Sequence, residues 1–124
     1  MNHLAVPSRA WTVVLPLVLA LMAAVALSFT ASAQAKSCSV PSYPGSGYFT
    51  SLRVTATSCA NGRRIAVAHN KCRRANGGIK GRCTRKVLDY SCTETRQSIP
   101  TEINARVSCR RGSARVIFTY QQNT

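Results

Sequence analysis

Few residues of this sequence could perform acid–base chemistry. The chain has three acidic residues and two histidines. Of the two histidines, only His69 lies beyond the N-terminal apolar stretch. A histidine acting as a general base needs a partner that orients or activates it. A ribonuclease-like site could in principle combine His69 as the base, Glu94 as the carboxylate and Arg106 as the cation. The helix predicted to carry His69 packs on the inward face of a sheet, whereas Arg106 points outward. We therefore expect no enzymatic activity and no catalytic residue.

Cysteine is the other reactive residue type, and the chain has six. An even count in a short exported chain is typical of a disulfide framework. No Cys-x-x-Cys motif and no cysteine–histidine cluster at ligand spacing occurs, so we expect no metal and no cofactor. One pair would close a glycine-rich loop, a second would link a helix start to a core strand, and a third would secure the N-terminal arm. These pairings are Cys72–Cys83, Cys59–Cys109 and Cys38–Cys92.

Positive charge is the most informative functional feature. The chain carries seventeen basic residues for a net charge of +14, and only Arg9 precedes residue 34. Such an excess attracts polyanions, although arginine-rich composition and solubility could also account for it. Seven basic residues fall close together around a glycine-rich loop, without aromatic residues for base stacking. We expect this cluster to bind polyanions without nucleic-acid specificity: Lys71, Arg73, Arg74, Lys80, Arg82, Arg85 and Lys86.

The N-terminal residues 1–33 are predicted to form a signal peptide. A positively charged start precedes an uncharged run from Trp11 to Phe29, and the small residues Ala31 to Ala33 follow. This order predicts cleavage before Gln34 and secretion. An uncleaved membrane anchor is the alternative, but Pro16 interrupts the apolar run.

Residue periodicity predicts the elements that hold these side chains. Residues 34–47 form an irregular arm, and residues 48–124 form one domain. Ser58 is a suitable N-cap for a helix extending to about Arg74, and alternating apolar residues predict strands on either side of it. Gly112 suits a hairpin turn between the last two strands. The predicted fold is a small α+β domain, β-α-β-β-β, with one helix packed on an antiparallel sheet of about four strands: 48–57, 86–92, 103–110 and 114–120.

The periodicity also predicts side-chain directions in the first two strands and a loop after the second. In the first strand, Leu52 and Val54 are predicted to share the inward face with Tyr48, with Phe49 outward. In the second, Leu88 is predicted inward and Asp89 outward. The segment 95–102 is predicted to be a loop, which would be the recognition segment if the protein were an inhibitor.

Several local motifs carry a family resemblance over most of residues 48–120. These are Ser58-Cys59-Ala60 before the helix, Leu88 to Cys92, and Val107 to Gly112. They resemble those of small exported proteins of high-GC Gram-positive bacteria, which implies the fold and no known activity. The dipeptide Asn61-Gly62 departs from that pattern, which usually has small helix-forming residues at this place. A glycine inside a helix costs up to about 1 kcal/mol of helix stability.

We therefore expect a secreted, monomeric, non-enzymatic protein with a binding or structural role at the cell envelope or outside the cell. Its partner would be an anionic envelope polymer or an extracellular protein. A polyanion-binding or antimicrobial cationic protein is the first alternative, and a secreted enzyme inhibitor is the second.

Overall fold

A computed structural model describes residues 31–124. The predicted signal peptide therefore lies almost entirely outside the described residues. Within the described range, no helix is long and apolar enough to cross a membrane. The regular elements are strand β1 (Lys36–Ser37), strand β2 (Gly47–Thr55), helix α1 (Cys59–Ala75), a short 3-10 helix (Gly78–Lys80), and strands β3 (Ser91–Ile99), β4 (Glu102–Arg111) and β5 (Ala114–Asn123).

The strands form one antiparallel sheet in the order β1-β2-β5-β4-β3. Helix α1 covers one face, where the inward residues of β2, β4 and β5 form the core with Ile65 and Ala66. The opposite face is open to solvent. The predicted α+β class is confirmed. The strand count is five instead of about four, because the two residues of β1 pair with β2 inside the segment predicted to be an irregular arm.

Helix α1 begins where the sequence predicts. The side chain of Ser58 accepts a hydrogen bond from the Asn61 backbone N–H at 3.1 Å. Gly62 is buried against β2, and a Cβ atom there would lie 2.6 Å from Cγ1 of Val54. The glycine that weakens helix propensity thus allows the first turn of the helix to approach the sheet closely.

A β-bulge changes the predicted side-chain directions in β2. Phe49 pairs with Tyr120 and Ser51 pairs with Thr119, so Thr50 is the extra residue. A bulge shifts the alternation by one position. Phe49 is consequently buried together with Leu52, whereas Tyr48 is 53% exposed. The prediction that Tyr48 faces inward and Phe49 outward was wrong for this reason.

The segment predicted to be the second strand is mostly a turn. The backbone N–H groups of Val87 and Tyr90 each donate to the other residue's carbonyl at 2.9 Å. Leu88 and Asp89 both have positive φ between them, so Leu88 is exposed. Strand β3 begins only at Ser91 and continues to Ile99. The segment 95–102 is therefore not a loop but the end of β3, a two-residue turn and the start of β4.

The three disulfides join consecutive cysteines. Cys72–Cys83 forms as predicted, whereas Cys59–Cys109 and Cys38–Cys92 were wrong. Cys92 lies directly opposite Cys109 in the β3–β4 register, with 4.0 Å between their Cα atoms, so Cys109 is not available to the helix. Cys38 follows β1 and binds the start of α1 through Cys59 instead, at a Cα separation of 5.6 Å.

Candidate functional site

The predicted polyanion cluster divides into one buried and six exposed residues. Arg73 has no exposed surface and so cannot contact a polymer, which corrects the prediction for this residue. Its position in α1 faces the sheet, whereas Lys71 and Arg74 on the same helix are exposed. The remaining six lie around the loop between α1 and β3, and we name them the basic surface: Lys71, Arg74, Lys80, Arg82, Arg85 and Lys86.

Arg73 fixes the loop that carries this surface. One terminal nitrogen donates to the Ile79 carbonyl at 2.8 Å. The other donates to Asn70 Oδ1 at 2.9 Å, to the Tyr43 hydroxyl at 3.0 Å, and to Gln122 Oε1. Gln122 in turn donates to the same Ile79 carbonyl at 3.0 Å. A buried guanidinium needs such a set of acceptors to compensate for lost hydration.

A second arginine binds the same loop from the sheet. The terminal nitrogens of Arg96 donate to the carbonyls of Lys80, at 2.8 Å, and Gly81. Its Nε pairs with Glu94, two residues earlier on the same face of β3. Together with the Cys72–Cys83 disulfide, these contacts hold residues 78–83 against both the helix and the sheet. Lys80 and Arg82 therefore extend from a fixed backbone, and Arg85 and Lys86 follow in the short segment between Cys83 and the buried Val87.

The histidine and the carboxylate considered for catalysis meet inside the protein. His69 Nε2 lies 3.7 Å from Glu94 Oε2, and both side chains are almost completely buried. The Tyr120 hydroxyl donates to the other Glu94 oxygen at 3.0 Å, and burial and then Glu94 raise the pKa of this tyrosine. Arg106 lies on the opposite, open face of the sheet. The structure thus brings together two of the three residues considered for catalysis and separates the third.

Burial also sets the protonation state of His69. Loss of hydration lowers its pKa from 6.5 to about 4, with a smaller opposing effect of Glu94. The imidazole is neutral at pH 7, and its ring packs edge-on against Phe118 with 5.5 Å between centroids. This pair, enclosed between helix and sheet, forms part of the interior rather than the lining of a cleft.

Most cations of the basic surface line one of two shallow grooves. One, of about 380 Å³, has Lys71, Arg85, Lys86 and Leu88 among its lining residues. The other, of about 310 Å³, is lined by Lys80 and Arg82 from the loop and by residues of β3. Between Cys59 and Leu88 the chain has no acidic residue, so no carboxylate from this stretch neutralises either groove.

The open sheet face is a second basic region. Arg53, Arg106, Arg110 and Arg115 all project from it, and Arg110 lies directly opposite Arg115 in the β4–β5 register. Like charges placed opposite each other repel. A shallow depression of about 400 Å³ beside Arg106 is lined mainly by threonine and amide side chains. The four arginines are spread over three strands, without a loop fixed beneath them.

The described residues contain no group of three or more side chains placed to bind a metal ion, and every cysteine is in a disulfide. Fold and site together define a small, disulfide-rich α+β domain with a rigid basic surface. Three disulfides in a domain of this size are typical of proteins in oxidising, extracellular compartments. No family model, no curated protein and no solved structure matches this chain.

Proposed function

We propose that this is an exported, non-enzymatic binding protein that holds an anionic polymer on the basic surface. The observation that carries the proposal is the fixed backbone beneath that surface. Six cationic side chains project from a helix end and a loop held by Arg73, Arg96 and a disulfide. Because the loop is already ordered, binding would cost little backbone entropy.

The chemistry of the surface favours a polymer over a small anion. Its cations are distributed along two open grooves instead of converging on one point. An arginine can bind a phosphate or sulfate with two hydrogen bonds, whereas a lysine acts as a point charge. A polymer with regularly spaced negative groups could contact several of these cations at once. Teichoic acids and sulfated polysaccharides have this chemistry.

The buried cluster supports the non-enzymatic part of the proposal. A general base must reach the proton that it removes, but His69 is 1% exposed and Glu94 is enclosed beside it. The network of Glu94, Arg96 and Tyr120 has a sufficient structural explanation, because it joins the loop to the sheet.

The same proposal includes secretion and cleavage before Gln34. It also includes the resemblance to exported proteins of high-GC Gram-positive bacteria. N-terminal sequencing of the protein released by its host tests the processing. A product that starts at Gln34 is expected, and a membrane-retained product starting at Met1 would contradict it.

Two variants with equal charge test the binding site. The site variant replaces Arg82, Arg85 and Lys86 with glutamine. The control replaces Arg53, Arg106 and Arg110 on the open sheet face, so that both lose three exposed cations. With heparin as the probe, wild-type binding should weaken steeply with salt, because released counterions supply most of the free energy. The site variant should reduce the slope of log K against log salt by about three.

The control separates a site from bulk charge. If both variants lose affinity equally, attraction is a property of the net charge and the basic surface is not a site. If the control loses more, the open sheet face is the binding region. Absence of wild-type binding at physiological salt would remove the polymer from the proposal.

A further inference from the structure

Strand β3 has a free outer edge. It is the last strand in the sheet order, and β4 is its neighbour on one side only. Within residues 31–124, no backbone hydrogen bond reaches β3 from its outer side. The strand is nine residues long, which is enough to align a complete partner strand.

The turn geometry identifies which backbone groups are free. Ile99 pairs with Glu102 across the two-residue turn, so these residues exchange both hydrogen bonds. In an antiparallel pair such residues alternate with residues whose N–H and C=O groups point away. The odd-numbered residues of β3 therefore bond to β4. The even-numbered residues present their backbone groups outward: Cys92, Glu94, Arg96 and Ser98.

This edge lacks several of the usual protections against strand pairing. Natural edge strands are commonly blocked by proline, lysine, a bulge or a covering segment. Strand β3 contains neither proline nor lysine, and its pairing with β4 has no register shift. Inward-pointing charges are a further protection, but the two charged side chains of β3, Glu94 and Arg96, pair with each other on the helix side. The backbone of the outer edge is thus open.

Charge beside the edge selects the kind of strand that would fit. The groove of about 310 Å³ is lined by Lys80 and Arg82 on the loop, by Arg96, Ser98 and Ile99 on β3, and by Ile103 and Thr124. Alternate side chains of an added strand would lie on this side, next to the two loop cations. Carboxylates there would be attracted, whereas a second copy of this chain would bring another net charge of +14.

We propose that the outer edge of β3 binds an extended acidic segment of a partner protein by strand addition. Backbone hydrogen bonds to the even-numbered residues provide the pairing, and Lys80 and Arg82 select acidic side chains at alternate positions. This mode of recognition uses main-chain hydrogen bonds for affinity and alternate side chains for specificity. It goes beyond the proposed polymer binding, since it needs the strand backbone rather than the charge alone.

A proline at Ser98 tests the backbone requirement without changing the charge. The Ser98 N–H points outward, so proline removes no hydrogen bond of the native sheet. It does remove a donor to the partner and places its ring in the path of the added strand. The control is Ser98→Ala, which keeps the N–H. The probe is a seven-residue peptide of alternating glutamate and valine with blocked ends, titrated by fluorescence anisotropy.

We expect Ser98→Pro to weaken peptide binding about tenfold and Ser98→Ala to leave it within about twofold. Heparin binding should be equal in both variants, which separates this proposal from the preceding one. A peptide with glutamine in place of glutamate should bind more weakly to the wild type. Equal peptide affinity for Ser98→Pro and Ser98→Ala would overturn strand addition, because charge alone would then hold the peptide.

Hydrogen exchange on the wild-type protein gives a test that requires no variant. Peptide binding should slow exchange of the outward amides of Glu94, Arg96 and Ser98, while those of Thr95 and Gln97 are protected already. Unchanged exchange at the even-numbered amides would overturn the proposal. So would a concentration-dependent dimer that Ser98→Pro abolishes, since the occupant would then be a second copy.

Discussion

Acidification should destabilise this protein through His69. In the folded state its pKa is lowered to about 4, whereas an unfolded chain has a histidine pKa of about 6.5. Between these values the unfolded state binds a proton that the folded state does not. The free energy of unfolding therefore falls as pH decreases from about 6.5 to about 4. Above that window this group contributes no pH dependence.

The size of the effect follows from the shift. A difference of about 2.5 pKa units corresponds to roughly 3 kcal/mol, which is large beside the 5–15 kcal/mol typical of small domains. The histidine is 1% exposed, so solvent screening reduces this value little. Its Nδ1 has no hydrogen-bond partner among the described residues, so no acceptor compensates a proton there.

Urea unfolding at pH 7.5, 6, 5 and 4 measures the effect, with His69→Gln as the control that cannot titrate. The difference in stability between wild type and variant should shift by about 3 kcal/mol against the wild type over this range. Parallel pH profiles would refute the reasoning. A histidine pKa above 6.5 by NMR would do so as well, because Glu94 would then outweigh burial.

Two substitutions test packing and loop anchoring. Gly62→Ala should lower the thermal midpoint, because the contact with Val54 costs about 1–3 kcal/mol and exceeds the gain in helix propensity. In a Val54→Ala background the same change should raise the midpoint. A raised midpoint in the wild-type background would contradict this explanation. Arg73→Met should cost about 3 kcal/mol, because the oxygens of Asn70 and Gln122 each lose a charged donor, and it should speed proteolysis within residues 77–86. Arg74→Met should change neither. An intact loop in Arg73→Met would show that the disulfide and Arg96 are enough to fix it.

The helix and the last two strands could be predicted because single local signals determine them. Ser58 caps the helix, and Gly112 lies in the hairpin turn with positive φ. Val116 and Phe118 alternate with half-exposed neighbours throughout β5. Burial of one face of a regular strand imposes a period of two, and no distant contact is needed to recognise it.

The bulge and the tight turn left no comparable signal. An extra residue at Thr50 reverses the inward face within one strand, and neither threonine nor its neighbours have a type that marks bulges. Leu88 and Asp89 adopt positive φ without glycine, because the mutual hydrogen bonds of Val87 and Tyr90 close the turn. Burial outweighs local preference at both places, since Phe49 and Leu52 are buried beside the bulge and Val87 and Tyr90 are buried on either side of the turn.

The buried cluster could have been found from one residue. Strand β3 is polar on both faces, so hydropathy does not distinguish its inner side. Cys92, however, must face its partner within the protein, and Glu94 and Arg96 follow at the same alternation. Arg73 gave no such signal, because a helical arginine among exposed basic residues is ordinarily solvated.

The pairing of consecutive cysteines has a consequence for biogenesis. Cys38 bonds to Cys59, Cys72 to Cys83, and Cys92 to Cys109, so the three covalent loops neither overlap nor nest. A chain that emerges N-terminus first from a membrane pore presents each cysteine's correct partner as the next one to appear. Oxidation in order of appearance therefore produces the native set without reshuffling. If the protein is exported as proposed, a host that lacks a disulfide isomerase outside its membrane could still mature it correctly.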